Sequence, residues 1–109
     1  AFEVYNEKGH GFLEEVYQEC LEIELGMRDI TFESQPGLPI FYKGIKLRKF
    51  YRPDLYVCEG IVTELKAMKA LTDNEVAQLI NYLKATGKRV GYLLNFGCPT
   101  GLEWKRIVV

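Results

Sequence analysis

Histidine is almost absent from this 109-residue chain: His10 is the only one, set between Gly9 and Gly11. One loop histidine gives no basis for a Ser-His-Asp triad, a histidine nucleophile or zinc chemistry. Cysteine is scarce too. Cys20, Cys58 and Cys98 are odd in number and widely spaced, which argues against a disulfide framework and suits a reducing cytoplasm. No apolar run approaches the ~18 residues of a membrane span. The opening AFEVYNEKGHG lacks the charged-then-apolar pattern of a signal peptide. Net charge is also missing. Fourteen cationic and fifteen acidic side chains leave −1, so any nucleic-acid binding must rest on a local basic patch. There is no repeat, linker, low-complexity stretch or glycine-rich phosphate loop. What remains is 48% apolar and 27% charged, over a length that buries a single core. That composition is expected of one globular domain, residues 1–109.

Hydrophobic spacing and turn chemistry divide the chain into elements. Residues 1–8 read as the end of a helix. A second helix is expected at about 12–27, with Leu13, Val16, Tyr17, Cys20 and Leu21 at helical spacing and Gly26 as a stop. Residues 30–42 read as a strand broken by Pro36-Gly37 and Pro39. Lys43-Gly44 is a hairpin turn, 45–58 returns as a long strand, and 61–67 is a short one. Thr72-Asp73-Asn74-Glu75 is a capping box that starts a helix ended by Gly87. Val76, Ile80 and Leu83 form its expected apolar face, with Gln78 and Tyr82 on a face away from the core. VGYLLNF at 90–96 suits an interior strand, and Trp104 to Val109 a last one. The order α-β-β-β-α-β-β is that of an α/β (α+β) domain: a small mixed sheet flanked by helices.

Two short motifs lie at the ends of adjacent strands: Pro53-Asp54 and Glu64-Leu65-Lys66. A three-residue loop, Cys58-Glu59-Gly60, with Gly60 in the left-handed region, pairs Val57 with Ile61. Counting back sets Asp54 opposite Glu64, with Cβ atoms roughly 4.5–5.5 Å apart. Two carboxylates that close repel unless a cation lies between them. The period of two puts Lys66 on the same face as Glu64, and Arg52 and Tyr56 beside Asp54. A two-residue loop would send Asp54 to the other face. The plain alternative is a surface hairpin with Asp–Lys and Glu–Arg cross-strand pairs. Pro53 cannot donate a ladder hydrogen bond, so an irregular strand or an edge is expected there. Lys43, Lys46, Arg48, Lys49 and Arg52 cluster on the preceding hairpin. They suit a patch that tracks a nucleic-acid backbone, or an edge kept from aggregating by charge. Glu14 lies at one edge of its helix's apolar stripe, as a carboxylate facing a cleft would. Glu24 falls near the stripe's middle, so it is expected to pair with a cation or to sit where the stripe is open. It ranks behind Glu14 as a helix-borne ligand.

Further motifs accompany these. Gly11-Phe12-Leu13-Glu14-Glu15-Val16-Tyr17 has the G-x-x-E-x-x-Y spacing, and Gln78-Leu79-Ile80-Asn81-Tyr82 is a Q-x-x-x-Y helix motif. With Pro53-Asp54 and Glu64-Leu65-Lys66, the chain resembles the GxxExxY family of the PD-(D/E)XK nuclease superfamily, in its RecB-like branch. The resemblance covers nearly the whole chain. His10 departs from it, standing where proline is expected. It implies a restriction-endonuclease-like α-β-β-β-α-β core. It also implies that Glu14, Asp54, Glu64 and the Leu65 carbonyl are ligands of Mg²⁺ or Mn²⁺. Asp54, Glu64 and Lys66 would be catalytic, with Gln78, Tyr82, Tyr17 and Arg52 as substrate contacts. Hard oxygen ligands suit such a cation, which can polarise a phosphate and lower the pKa of a bound water. The implied activity is a metal-dependent nuclease acting on DNA, without a membrane, alone, as a homodimer or with a partner protein. The rival is a non-catalytic nucleic-acid-binding or accessory module that keeps the fold.

Overall fold

The computed structural model describes all residues 1–109. Three helices, α1 (Phe2–Lys8), α2 (Glu14–Met27) and α3 (Asp73–Thr86), accompany seven strands. These are β1 (Phe32–Ser34), β2 (Leu38–Tyr42), β3 (Ile45–Tyr51), β4 (Leu55–Val57), β5 (Ile61–Lys66), β6 (Val90–Asn95) and β7 (Glu103–Val108). A mixed five-stranded sheet runs β1-β4-β5-β6-β7, while β2 and β3 pair only with each other. In the main sheet β5 and β6 are parallel and the other pairs antiparallel. The expected α+β order therefore holds, with two strands more than foreseen. Residues 30–42 split at Gln35-Pro36-Gly37, and 45–58 split at Pro53, where the missing N–H ends the ladder.

Helices cover both faces of the main sheet. One core cluster joins Val4 of α1, Tyr17 and Leu21 of α2, Leu55, Leu65 and Phe96. The other joins Leu79 and Leu83 of α3 to Val62, Leu93, Leu38 and Tyr51. Strand alternation sorts β5 between them: Leu65 faces α2, whereas Val62 faces α3 and carries Glu64 and Lys66 with it. Gly91 lets α3 approach β6, since a Cβ there would meet Leu79 Cδ2 at 3.0 Å. No helix is long and apolar enough to cross a membrane.

Several local expectations need correction. Thr72 caps α3 as a reciprocal box with Glu75, and Gly87 closes it in the left-handed conformation, as foreseen. The buried face of α3, however, is Leu79, Leu83 and Thr86, with Val76 and Ile80 only at its margins. Gly26 does not stop α2. The helix runs on to Met27, and Asp29 takes the left-handed position with φ 56°. Glu24 finds its cation one turn on, with Arg28 Nε at 2.6 Å, so it is no candidate ligand.

Candidate active site

The site begins at Pro53. The β4–β5 ladder pairs Val57 with Ile61, Tyr56 with Val62 and Leu55 with Thr63. The three-residue loop is present, but Gly60 is not its left-handed residue. Cys58 and Glu59 have φ 53° and 55°, and Gly60 N–H donates to Val57 O at 3.2 Å. This is a primed turn followed by one extra residue, which gives the same register by another route. Extending that register sets Asp54 opposite Glu64 and Pro53 opposite Leu65. Lys66 O accepts from Phe96 N–H of the β6 side. Alternation therefore turns the N–H and C=O of Leu65 toward the β4 side. Pro53 has no N–H to give that carbonyl. The Leu65 N–H donates instead to Asp54 Oδ2 at 2.7 Å. One proline thus leaves a backbone carbonyl without its ladder donor and recruits a carboxylate to the same edge.

Asp54 is held from three sides. Its N–H donates to Glu64 Oε1 at 3.3 Å, and its carbonyl accepts from Gln18 Nε2 at 2.7 Å and Gln35 N–H at 3.0 Å. Glu64 Oε1 also accepts from the Tyr51 hydroxyl at 2.7 Å. The Tyr51 ring stacks on Tyr82 with centroids 4.1 Å apart and planes 8° from parallel. Burial pushes the Asp54 carboxyl above its ordinary value, against the Leu65 N–H and the Lys66 charge. Burial likewise raises Glu64; the Tyr51 hydrogen bond opposes this and the Asp54 charge adds to it. Burial and the Glu64 charge keep the Tyr51 phenol protonated far above the usual range. Two adjacent carboxylates, both partly stripped of water and each with oxygen left to give, form a donor set that fits a hard divalent cation. The Leu65 carbonyl is the third oxygen on that edge.

The remaining candidates divide. Glu64, Lys66, Gln78, Tyr82 and Arg52 line one cleft together with Tyr51. Glu14 and Asp54 line a neighbouring depression on the α2 side, with Gln18, Gln35 and Ala67. The Glu14 carboxylate rests on the Ala67 N–H at 3.3 Å. No three acidic, histidine or cysteine side chains converge to a single point. Asp54 and Glu64 adjoin directly, and Glu14 lies beside Asp54 in the neighbouring depression with only its Oε2 engaged, on the Ala67 N–H. Tyr17 is corrected. It has no exposed surface, stacks on Phe96, and its hydroxyl donates to Gly9 O at 2.6 Å and accepts from Phe12 N–H, so it cannot touch a substrate. Tyr82 is not remote from the core as expected but leans on it through Tyr51.

Two residues of the site went unnoticed in the sequence. Gln18 carried a weak signal: it lies one turn after Glu14 and is buried between Tyr17 and Leu21 on the inner face of α2. Tyr51 carried none, because its contact with Glu64 joins strands of two different sheets.

A family model described as the PD-(D/E)XK nuclease superfamily matches residues 1–107. Among solved structures, the chain is similar to the crystal structure of SSO0001, with a TM-score of 0.66 and 21% identity. The alignment covers 86% of this chain and 48% of that one, so the chain spans about half the length of the structure it matches. At that identity the likeness concerns the fold, which is restriction-endonuclease-like. No curated protein matches the chain.

Proposed function

The chain belongs to the PD-(D/E)XK nuclease superfamily, and from that premise we propose that it is a Mg²⁺- or Mn²⁺-dependent nuclease that hydrolyses phosphodiester bonds in DNA. One observation carries this reading: the Pro53-led register sets Asp54 beside Glu64, both desolvated, with Lys66 on the Glu64 face. The Gly11–Tyr17 spacing supports placement in the GxxExxY family, and the Q-x-x-x-Y helix supports the RecB-like branch. Composition and the free cysteines suit a single cytoplasmic domain.

Asp54, Glu64 and the Leu65 carbonyl, with Glu14 from α2 beside Asp54, would hold the cation. When bound, it supplies Lewis-acid polarisation of the phosphate and a water of lowered pKa. The chain's own residues do the rest. Tyr51 and the Asp54 N–H fix Glu64, while the Leu65 N–H and Gln18 fix Asp54. Lys66 orients the attacking water or takes its proton. Arg52, Gln78 and Tyr82 line the cleft that would receive the strand.

The test incubates purified protein with single-stranded, duplex and branched DNA plus Mg²⁺ or Mn²⁺. Lys66→Ala is expected to lower the cleavage rate by roughly 10²–10⁴-fold. Chelator and Asp54→Ala should each abolish cleavage. Identical products from wild type and Lys66→Ala would sink the enzyme reading. A second reading, a non-catalytic nucleic-acid-binding module, draws on the Glu14 carboxylate resting on Ala67. Binding that survives chelation, with no cleavage under either metal, would favour it. A homodimer or a partner chain is compatible with either reading.

A further inference from the structure

Positive charge is concentrated in a part of the molecule that the cleft chemistry barely uses. Between Gln35 and Pro53 lie five of the fourteen cationic side chains and none of the fifteen acidic ones, so this segment carries +5 and the rest of the chain −6. The segment is the β2–β3 ribbon, which pairs with no other strand. Its base is anchored by Leu38 and Tyr51 in the α3-side core. Residues 41–50 are all exposed. Beyond that base, a two-stranded ribbon is marginal by itself.

The two faces of the ribbon differ. Pairing of Pro39 with Phe50 and Phe41 with Lys46, across a bulge, puts Phe41, Lys46, Arg48 and Phe50 on one face. Tyr42, Ile45, Leu47 and Lys49 occupy the other. On the first face Phe41 stands beside Lys46, and Arg48 and then Phe50 follow along β3 toward the cleft, same-strand neighbours standing about 6.8 Å apart. Phe41 and Phe50 are 47% and 53% exposed. The row ends at Arg52, whose guanidinium lies over the Phe50 ring at 4.9 Å. Arg52 also lines the cleft with Glu64 and Lys66, so the face leads into the candidate site.

Resting on the nuclease reading, we propose that this face is a docking platform for single-stranded DNA. Unpaired bases stack on Phe41 and on the Phe50–Arg52 pair, while Lys46, beside Phe41, and Arg48, between the two rings, neutralise the phosphates. The +5 ribbon complements the polyanion where the remaining −6 of the molecule would repel it. The exposed rings select the single strand. In a duplex the bases stack on one another and present only edges, whereas an unpaired base offers its whole face.

The test measures binding by fluorescence anisotropy in chelator, using a labelled single-stranded DNA oligonucleotide, its duplex, and single-stranded RNA of the same sequence. Because nothing is cut in chelator, failure of the cleavage assay and failure of this proposal are separate results. Wild type is expected to prefer the single strand over the duplex. Phe41→Ala/Phe50→Ala should weaken single-strand binding at least 10-fold, the range for a missing stack being about 5- to 150-fold per base. Phe41→Leu/Phe50→Leu, which keeps apolar bulk, should weaken it similarly, and Phe41→Tyr/Phe50→Tyr should retain it. Lys46→Ala/Arg48→Ala should reduce the salt slope by about 0.7 for each phosphate that is no longer neutralised. Equal affinity for duplex, no effect of removing the rings, or tighter binding of the RNA would each overturn the proposal.

Discussion

The hairpins on either side of Pro53 begin alike. Lys43 and Gly44 have φ 50° and 77°, and Cys58 and Glu59 have 53° and 55°. Both pairs turn the chain in the sense that suits twisted strands. Beyond the turns the hairpins diverge. The β4–β5 hairpin is embedded in the main sheet, with Leu55, Val62 and Leu65 at most 1% exposed. The β2–β3 ribbon is exposed along its whole outer length. The first carries the carboxylates and the second most of the local cations. Turn chemistry makes a hairpin; burial decides what its charges must do. On the ribbon, water solvates each ammonium group at little cost. In the sheet, Asp54 and Glu64 lose water and must find N–H groups, a phenol or a cation. Arg52-Pro53-Asp54 is the joint at which one regime passes into the other.

The largest effect should separate the hairpins by their packing. Leu65→Ala removes a side chain from the α2-side core and is expected to cost about 2–5 kcal/mol. Leu47→Ala on the ribbon should stay within about 0.5 kcal/mol. Urea denaturation monitored by circular dichroism checks both. Comparable losses would mean that the ribbon has a packed partner, and the contrast would break.

A smaller effect should separate them by their charges. Burial raises the folded-state pKa of Asp54 and Glu64. Between the unfolded and folded values the native state binds more protons than the unfolded one, so stability falls as pH rises. Their contribution is fully present below about pH 4, the unfolded carboxylate value. It is lost as pH climbs through the raised folded values. In chelator, the melting temperature of wild type should therefore decline from pH 4 to pH 7 relative to Asp54→Asn/Glu64→Gln. Mg²⁺ or Mn²⁺ should narrow the gap, by stabilising the ionised pair in the folded state. Lys46→Gln/Arg48→Gln on the ribbon should follow the wild-type profile.

The sequence carried what is local. The capping box at Thr72, the Gly87 stop and the break at Pro53 each depend on a few adjacent residues. The Val57–Ile61 register was legible because it requires only that the loop hold three residues. Which of them turns left-handed was not, since two loop conformations give the same pairing. Tyr17 shows competing signals: its helical phase placed it on the apolar stripe, while the motif spacing marked it as a substrate contact, and burial against Phe96 settled it as core. Tyr51, Tyr82 and Glu64 meet across two sheets and a helix, and no spacing along the chain encodes that meeting. Glu14 is the converse case. Its position was legible, but its hydrogen bond to Ala67 depends on how α2 sits against the end of β5.

The smallest effect lies in the turns themselves. Glu59 is exposed and left-handed, and the hydrogen bond it accepts from the Tyr56 hydroxyl goes to its backbone carbonyl. Glu59→Gly removes the strain of a Cβ in that conformation but adds freedom to the unfolded chain, so a net gain of about 0.5 kcal/mol is expected. Lys43→Gly makes the same exchange in the ribbon. There the strands can open without unfolding the core, so the gain should appear as slower local amide exchange and leave the urea midpoint unchanged. A midpoint shift in Glu59→Gly alone would show that the embedded hairpin unfolds with the domain and the ribbon does not. Equal shifts would make the ribbon part of the same cooperative unit, despite its exposed surface.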